Sequence, residues 1–245
     1  MATPVLNVAL YTLIAAVATG LGALPFFWVK KMSIKFIGSC NAAAAGLMLG
    51  ASIDLIYQGV IETLWRTLLG LFVGFLFIYA AKRALKQAKG FEPEQFLNAG
   101  FQQMLLIVVI MTVHSFAEGI SEGFSFAHSA GFGFLIVLAM GVQNVPEGLA
   151  ISAALCPKGV SPLRAAWWSV FSSLPQVIMA VPAFIFVQRF RPYLPIGLGF
   201  AAGAMIWLIF TELIPEAKAD TRIGKWLPIV VASVSIMTVL GLFIH

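Results

Sequence analysis

Two short stretches each place a metal-capable or amide side chain one helical turn ahead of a glutamate. The first is His114-Ser115-Phe116-Ala117-Glu118-Gly119, and the second is Gln143-Asn144-Val145-Pro146-Glu147-Gly148. In an α-helix, residues i and i+4 are offset by about 40° around the axis. His114 therefore shares a face with Glu118, and Gln143 with Glu147; Glu122 extends the first stripe by a further turn. Both stretches lie in the middle of strongly apolar runs. A carboxylate at that depth in a bilayer costs about 2.5–3.5 kcal/mol even on the lenient insertion scale, so it marks an ion or proton path. A neutral imidazole beside carboxylates suits borderline divalent cations such as zinc. An interhelical hydrogen bond is the plainer reading of His114.

Other polar groups interrupt the apolar runs. Pro146 removes a backbone donor, so the Val142 carbonyl is expected to lose its helical partner and to need another. Met48, Ser52 and Asp54 fall in an earlier run, and Ser172, Ser173 and Gln176 surround Pro175 in a later one. Met48 by itself reads more readily as packing than as a ligand; Asp54 is harder to dismiss. Glu212 and Glu216 are again four residues apart, either a solvated helix end or the inner doorway of an ion path. No HExxH pair and no phosphate-binding glycine loop occur, which argues against an intramembrane metalloprotease and an ATP-driven pump. No residue is marked as a nucleophile to pair with His114, so the chain does not read as an enzyme.

The elements that must position these groups follow from composition. The 245 residues are 60% hydrophobic and 10% charged, with a mean hydropathy of +0.97; a soluble domain carries about 25% charged residues. Long continuous apolar runs favour an all-α polytopic membrane protein over a barrel. The expected spans are 5–29, 34–60, 64–81, 101–126, 131–156, 163–188, 194–213 and 226–244, eight transmembrane helices in one domain, 1–245. The central motif-bearing pair is 101–126 and 131–156. With the N-terminus outside, Lys30, Lys31, Lys35, Lys82, Arg83, Lys86, Lys89, Lys158, Arg164, Lys218, Arg222 and Lys225 fall in cytoplasmic connections. That is twelve of the fifteen basic residues, leaving Arg66, Arg189 and Arg191 outside. This asymmetry places both termini outside. The net charge of +5 then belongs to loops at an anionic leaflet rather than to a nucleic-acid surface. Cys40 and Cys156 form no CxxC pair and read as small buried hydrophobes. The first run lacks a basic leader and reads as a spanning helix rather than a cleaved signal. Small-residue tracts at 41–46 and 199–204 read as sites of close helix packing.

These residues together resemble the ZIP (Zrt/Irt-like) family of divalent metal transporters. HSFAEG followed by QNVPEG in the central helices carries the resemblance, with Glu212-Leu213-Ile214-Pro215-Glu216 in the seventh run. Gln143 in the second motif is similar to the GufA-like branch. The resemblance implies a 3+2+3 arrangement with outer triplets related by an inverted repeat, and a mid-membrane metal site. It implies Met48, His114, Glu118, Gln143 and Glu147 as the primary site. A second position would share Glu118 and Glu147 and add Ser115, Asn144 and Gln176. Ser115 stands where the family usually has asparagine, Ala117 where proline is common, Asn144 in place of an aspartate, and Gln176 in place of a glutamate. The second position therefore has less charge than in relatives. The long histidine-rich cytoplasmic loop of many relatives is absent.

The expectation is a transporter in the plasma (inner) membrane, a carrier or an open channel, that moves a divalent cation toward the cytoplasm. Zn²⁺ is the first choice as substrate, with Cd²⁺, Fe²⁺ and Mn²⁺ as alternatives, and alternating access is the implied mechanism. Asp54, Glu122, Glu212 and Glu216 would line the pathway. Its partners are the ion, the lipid bilayer and a second copy in a homodimer. The alternative is a proton-coupled transporter of a small organic solute that uses the same carboxylates.

Overall fold

The computed structural model describes residues 2–29, 33–88, 115–116, 118–156, 159–220 and 223–244, and among them every regular element is helical. Helix α1 (Ala2–Ala18) continues as a 3-10 stretch, Thr19–Phe27. Helix α2 is Ile34–Ala88, α3 covers residues 118–128, α4 is Ala130–Leu155 and α5 is Pro162–Arg189. Helix α6 (Leu194–Leu208) passes through a π-helical segment, Ile209–Leu213, into α7, Ile214–Asp220. Helix α8 is Ile223–Ile244. Five of the described stretches are long and apolar enough to cross a bilayer: Pro4–Phe27, Ile34–Ala81, Ala130–Ala153, Pro162–Arg189 and Arg191–Ala219. Large apolar side chains such as Ile14, Phe72, Ile178 and Ile236 are exposed on the outer faces, as lipid contact requires.

Two reversals each use a single residue. In α2 the backbone leaves helical angles at Thr63, which is extended (φ −164°, ψ 107°). Residues eight apart in a straight helix are about 12 Å apart. Yet a Cβ on Gly59 would stand 2.7 Å from Thr67 Oγ1, so the chain folds back there and α2 is two limbs. Thr67 Oγ1 donates to the Thr63 carbonyl at 3.0 Å, tying the turn to the second limb. The apolar runs at 34–60 and 64–81 are thus joined by a shorter connection than their spacing suggests. The second reversal is Ser129, also extended (φ −154°, ψ 155°), whose side chain caps α4 by accepting from the Phe132 N–H at 3.1 Å. A Cβ on Gly133 would overlap the Phe126 ring, so α3 and α4 form a tight hairpin. Ser161 caps α5 in the same way, with Pro162 in the first turn, where its missing donor costs nothing.

Small residues decide which helices meet. The first limb of α2 packs on α8 through Gly46 and Gly50, against Ser233 and Met237. The second limb packs on α6, where a Cβ on Gly199 or Gly203 would overlap the carbonyls of Thr67 or Leu71. The Gly/Ala tract around residues 199–204 is therefore close packing of the kind that membrane helices use in place of a hydrophobic drive. On the other side, α3 and α4 lie against α5 and the end of α1. The helices so divide into two packed groups, α1–α3–α4–α5 and α2–α6–α8, which meet along α2 and α4 and where Gly197 of α6 lies against the Phe124 ring of α3.

Candidate metal centre

The repeated Glu-Gly is explained by packing. Gly119 lies against the backbone of Gln176, where a Cβ would overlap the carbonyl, and Gly123 lies in the same way against Ala180. These two glycines, four apart, bring α3 onto α5 at backbone contact. Gly148 meets the carbonyl of Thr19, and Gly22 meets the backbone at Leu149, bringing α4 onto the 3-10 end of α1. Each motif glycine thus seats its helix, and the glutamate beside it is held at a fixed depth.

The polar side chains between these helices form a buried network of two neighbouring sets of hydrogen bonds. The Gln143 amide donates to Glu118 Oε1. Asn144 Nδ2 donates to the Ala15 carbonyl at 2.8 Å and to Gln176 Oε1 at 3.1 Å. Gln176 Nε2 in turn donates to Glu122 Oε1 at 2.5 Å. Four helices, α1, α3, α4 and α5, are so joined through three neutral amides and two carboxylates. Glu118, Glu122, Asn144 and Gln176 are each 0% exposed. Glu147 is buried one turn beyond Gln143 on α4.

The amides spend their donors on the network and leave acceptors over. Gln143 Oε1, Asn144 Oδ1 and Glu122 Oε2 have no hydrogen-bond partner among the described residues, and neither does the hydroxyl of Ser115. Buried polar atoms without partners are costly, about 1–3 kcal/mol each, and a cation satisfies an acceptor without needing a donor. Oxygen-rich sites of carboxylate and amide suit a divalent cation. Among the described residues no three of His, Cys, Asp and Glu converge in metal-holding geometry. What converges is carboxylates interleaved with amides.

The remaining candidate residues fall in several places. His114 and Ala117 lie outside the described residues, as does the side chain of Glu216. Met48 is buried in the main apolar cluster, and its carbonyl accepts from Ser52 Oγ at 2.8 Å. Asp54 is buried on the first limb of α2, with Oδ2 unsatisfied among the described residues. Glu212 lies within the π segment, half-buried, with the helix continuing past it to Asp220 rather than ending there. Pro146 sits inside α4 without ending it. Together with Val142 and Ala15 it borders an apolar groove of about 760 Å³ between α1 and α4.

Two contributors escape the sequence reading. The Ala15 carbonyl has no side-chain signature at all. Thr19 bonds Ser173 at 2.8 Å, hydroxyl to hydroxyl, linking α1 to α5 near the site. The helix-poor composition Thr19-Gly20-Leu21-Gly22 was the available signal, since two glycines in four residues at the end of a span invite close backbone approach.

Comparison with known proteins gives a consistent result. A family model described as ZIP Zinc transporter matches residues 86–244. An Arabidopsis thaliana protein whose name includes the words zinc transporter is 43% identical over 240 residues, covering 96% of this chain but 39% of that protein. The zinc transporter GufA of Myxococcus xanthus is 32% identical over 228 residues, covering 84% of this chain and 86% of that protein. The zinc transporter ZupT of Oceanobacillus iheyensis is 28% identical over 233 residues, covering 85% and 87%. The chain thus spans under half the plant relative and most of the two bacterial ones.

Proposed function

The chain belongs to the ZIP zinc transporter family, and from that premise we propose that it moves Zn²⁺ across a bilayer toward the cytoplasm through the buried network of α3 and α4. One observation carries the reading: the Gln143 amide holds Glu118, while its own oxygen stays unsatisfied among the described residues. A neutral amide fixes the carboxylate without cancelling its charge, so an arriving cation meets a preorganised anion and a spare acceptor.

In this reading Glu118, Gln143 and Glu147 hold the ion together with His114 and Met48, and Ser115, Asn144 and Gln176 belong to a neighbouring position. Asp54, Glu122, Glu212 and Glu216 mark the route. The chain crosses the membrane eight times in a 3+2+3 arrangement with both termini outside. The basic residues between the spans support this topology. The two packed groups of helices support alternating access, with α1, α3, α4 and α5 carrying the ion as one body against α2, α6 and α8. An inside-negative potential favours inward movement of a divalent cation by about 4.6 kcal/mol per 100 mV. The bacterial relatives, which match over most of their length, favour the plasma membrane as its location.

Zinc uptake into proteoliposomes tests the proposal, with Cd²⁺, Fe²⁺ and Mn²⁺ as competitors. Glu118→Ala with Glu147→Ala is expected to reduce uptake to the level of empty vesicles. Uptake by that double variant at the wild-type rate overturns it.

A further inference from the structure

The groove beside Pro146 has a shape and a lining of its own. It runs between α1 and α4 and reaches Phe36 and Cys40 on the first limb of α2. Small residues such as Ala15, Ala18 and Gly141 line it, which is why there is room, and large apolar ones stand at its sides. Among these, Ile14 is 66% and Val142 52% exposed, so the groove opens outward. No charged side chain lines it, and Tyr11 and Cys40 supply the only polar side-chain atoms. The Tyr11 ring meets the Phe134 ring edge to face at 5.7 Å, at the end away from Pro25.

Dimensions and charge choose the occupant. From Tyr11 to Pro25 the chain rises about 21–25 Å, taking the rises of α- and 3-10 helices. A volume of about 760 Å³ spread over that length is a channel about 6 Å across. A helix with its side chains is about 10–12 Å wide and does not fit. An alkyl chain, whose carbons lie about 4 Å from their neighbours, does. Half of a bilayer's hydrocarbon core is about 15 Å, so the groove is long enough for a whole tail from one leaflet. At the Phe36 end the charge is of one sign. Lys30, Lys31 and Lys35 come just before Phe36 in the sequence, and the first carboxylate of the chain is Asp54. Lys35 is exposed.

We infer that the groove is a lipid site, holding one acyl tail of an anionic phospholipid of the cytoplasmic leaflet whose headgroup lies at Lys35. The leaflet follows from the membrane orientation proposed above. In a bilayer a tail gains little by leaving other tails, so the site depends on packing contacts along the groove and on charge at its end. Helices α1 and α4 belong to one packed group and α2 to the other, so the tail touches both. An alkyl chain makes no directional bonds and can fill that seam while the groups move.

Photocrosslinking of the full chain in nanodiscs tests the site. The probe is phosphatidylglycerol with a diazirine near the end of one tail, and phosphatidylcholine with the same tail is its comparison. Peptide mass spectrometry maps the adducts, and thermal unfolding checks folding. In wild type the adducts are expected near Tyr11 and Phe134, with the phosphatidylglycerol probe preferred. Lys35→Gln should lower that preference about fivefold. Ala18→Phe puts a ring into the groove and should abolish these adducts, whereas Ile178→Phe, on an outward face of α5, should leave them. Lys35 is exposed, so its variant keeps the test open if Ala18→Phe does not fold. Adducts spread evenly over all outward-facing helices overturn the lipid site. So do equal labelling by the two probes, groove adducts undiminished in a folded Ala18→Phe, and a second copy of the chain crosslinked at the groove. Zinc plays no part in this readout, so absent uptake with intact groove labelling counts against the transport reading alone.

Discussion

Gly148 rests on the carbonyl of Thr19, so closely that no side chain fits between α4 and the end of α1. The adjacent Glu147 is held by this contact, because a helix that cannot move outward cannot withdraw its carboxylate. Gly148→Ala is expected to force α4 away, costing about 1–3 kcal/mol by overpacking. It should also reduce zinc uptake severely. Gly141 lies two turns earlier on the same helix, and a Cβ there would be 3.7 Å from Ala15 Cα, an ordinary contact. Gly141→Ala should therefore keep both stability and uptake. Thermal unfolding and proteoliposome uptake of the two variants check the contrast. Equal damage from both would show that the close approach at Thr19 is not what matters.

Gln143 supplies Glu118 with a donor and an incoming ion with an acceptor. Gln143→Leu removes both and leaves a buried carboxylate with fewer hydrogen bonds. Loss of a buried hydrogen bond to a charged group costs about 1.5–3 kcal/mol, so the variant should unfold earlier and bind zinc more weakly. Gln143→His keeps a donor for Glu118 and adds a nitrogen ligand, so it should retain binding. Isothermal titration with zinc separates the two. Tighter binding by Gln143→Leu than by Gln143→His would contradict the role given to the amide.

How much of this was legible in the sequence depends on the kind of interaction. The all-helical class follows from apolar runs too long for strands, and the glutamates announce themselves because nothing else explains charge at that depth. The motif glycines were visible as letters, but their purpose was not. That Gly119 meets Gln176 and Gly148 meets Thr19 is a matter of which helices are neighbours, which periodicity along one chain does not encode. The same holds for Asn144, whose spacing relates it to Glu147 while its hydrogen bonds go to Ala15 and Gln176, 129 and 32 residues away. Thr63 and Ser129 are ordinary residues in sequence. They became single-residue reversals because the helices on either side pack through Gly59 and Gly133.

Asn144 holds α1 and α5 to α4 with one amide nitrogen. Asn144→Leu has the same number and branching of side-chain heavy atoms but no donor, so the Ala15 carbonyl and Gln176 Oε1 both lose that bond. Each buried acceptor left unsatisfied costs about 1–3 kcal/mol. Asn144→Asp instead adds a charge across Gln176 from Glu122 and lacks the donors, unless its carboxyl is protonated. Stability should therefore fall in both variants at neutral pH. Zinc is expected to restore the aspartate variant alone, because a cation can pair with the added carboxylate and leucine offers it nothing. Unfolding temperatures with and without excess zinc check this, and an equal zinc-induced shift in the two variants would count against it.

Pro215 sets the bearing of Glu212. A proline has no N–H, and its ring crowds the carbonyl four residues back, here that of Thr211. The helix answers by widening: the Ile214 N–H bonds the Ile209 carbonyl, five residues back, and Ile209–Leu213 is π-helical. The Thr211 hydroxyl bonds the Trp207 carbonyl at 2.8 Å, adding a polar contact where the ladder loosens. Such a bulge turns the residues that follow it relative to those before it, and π segments recur at functional sites. Pro215→Ala restores the missing donor, so the segment should relax to an α-helix and Glu212 should point elsewhere. The site at Glu118 and Gln143 lies on other helices and should bind zinc as before. Uptake should fall several-fold while zinc affinity in titration stays at the wild-type value. A variant that transports normally would show that the widened turn has no part in the route.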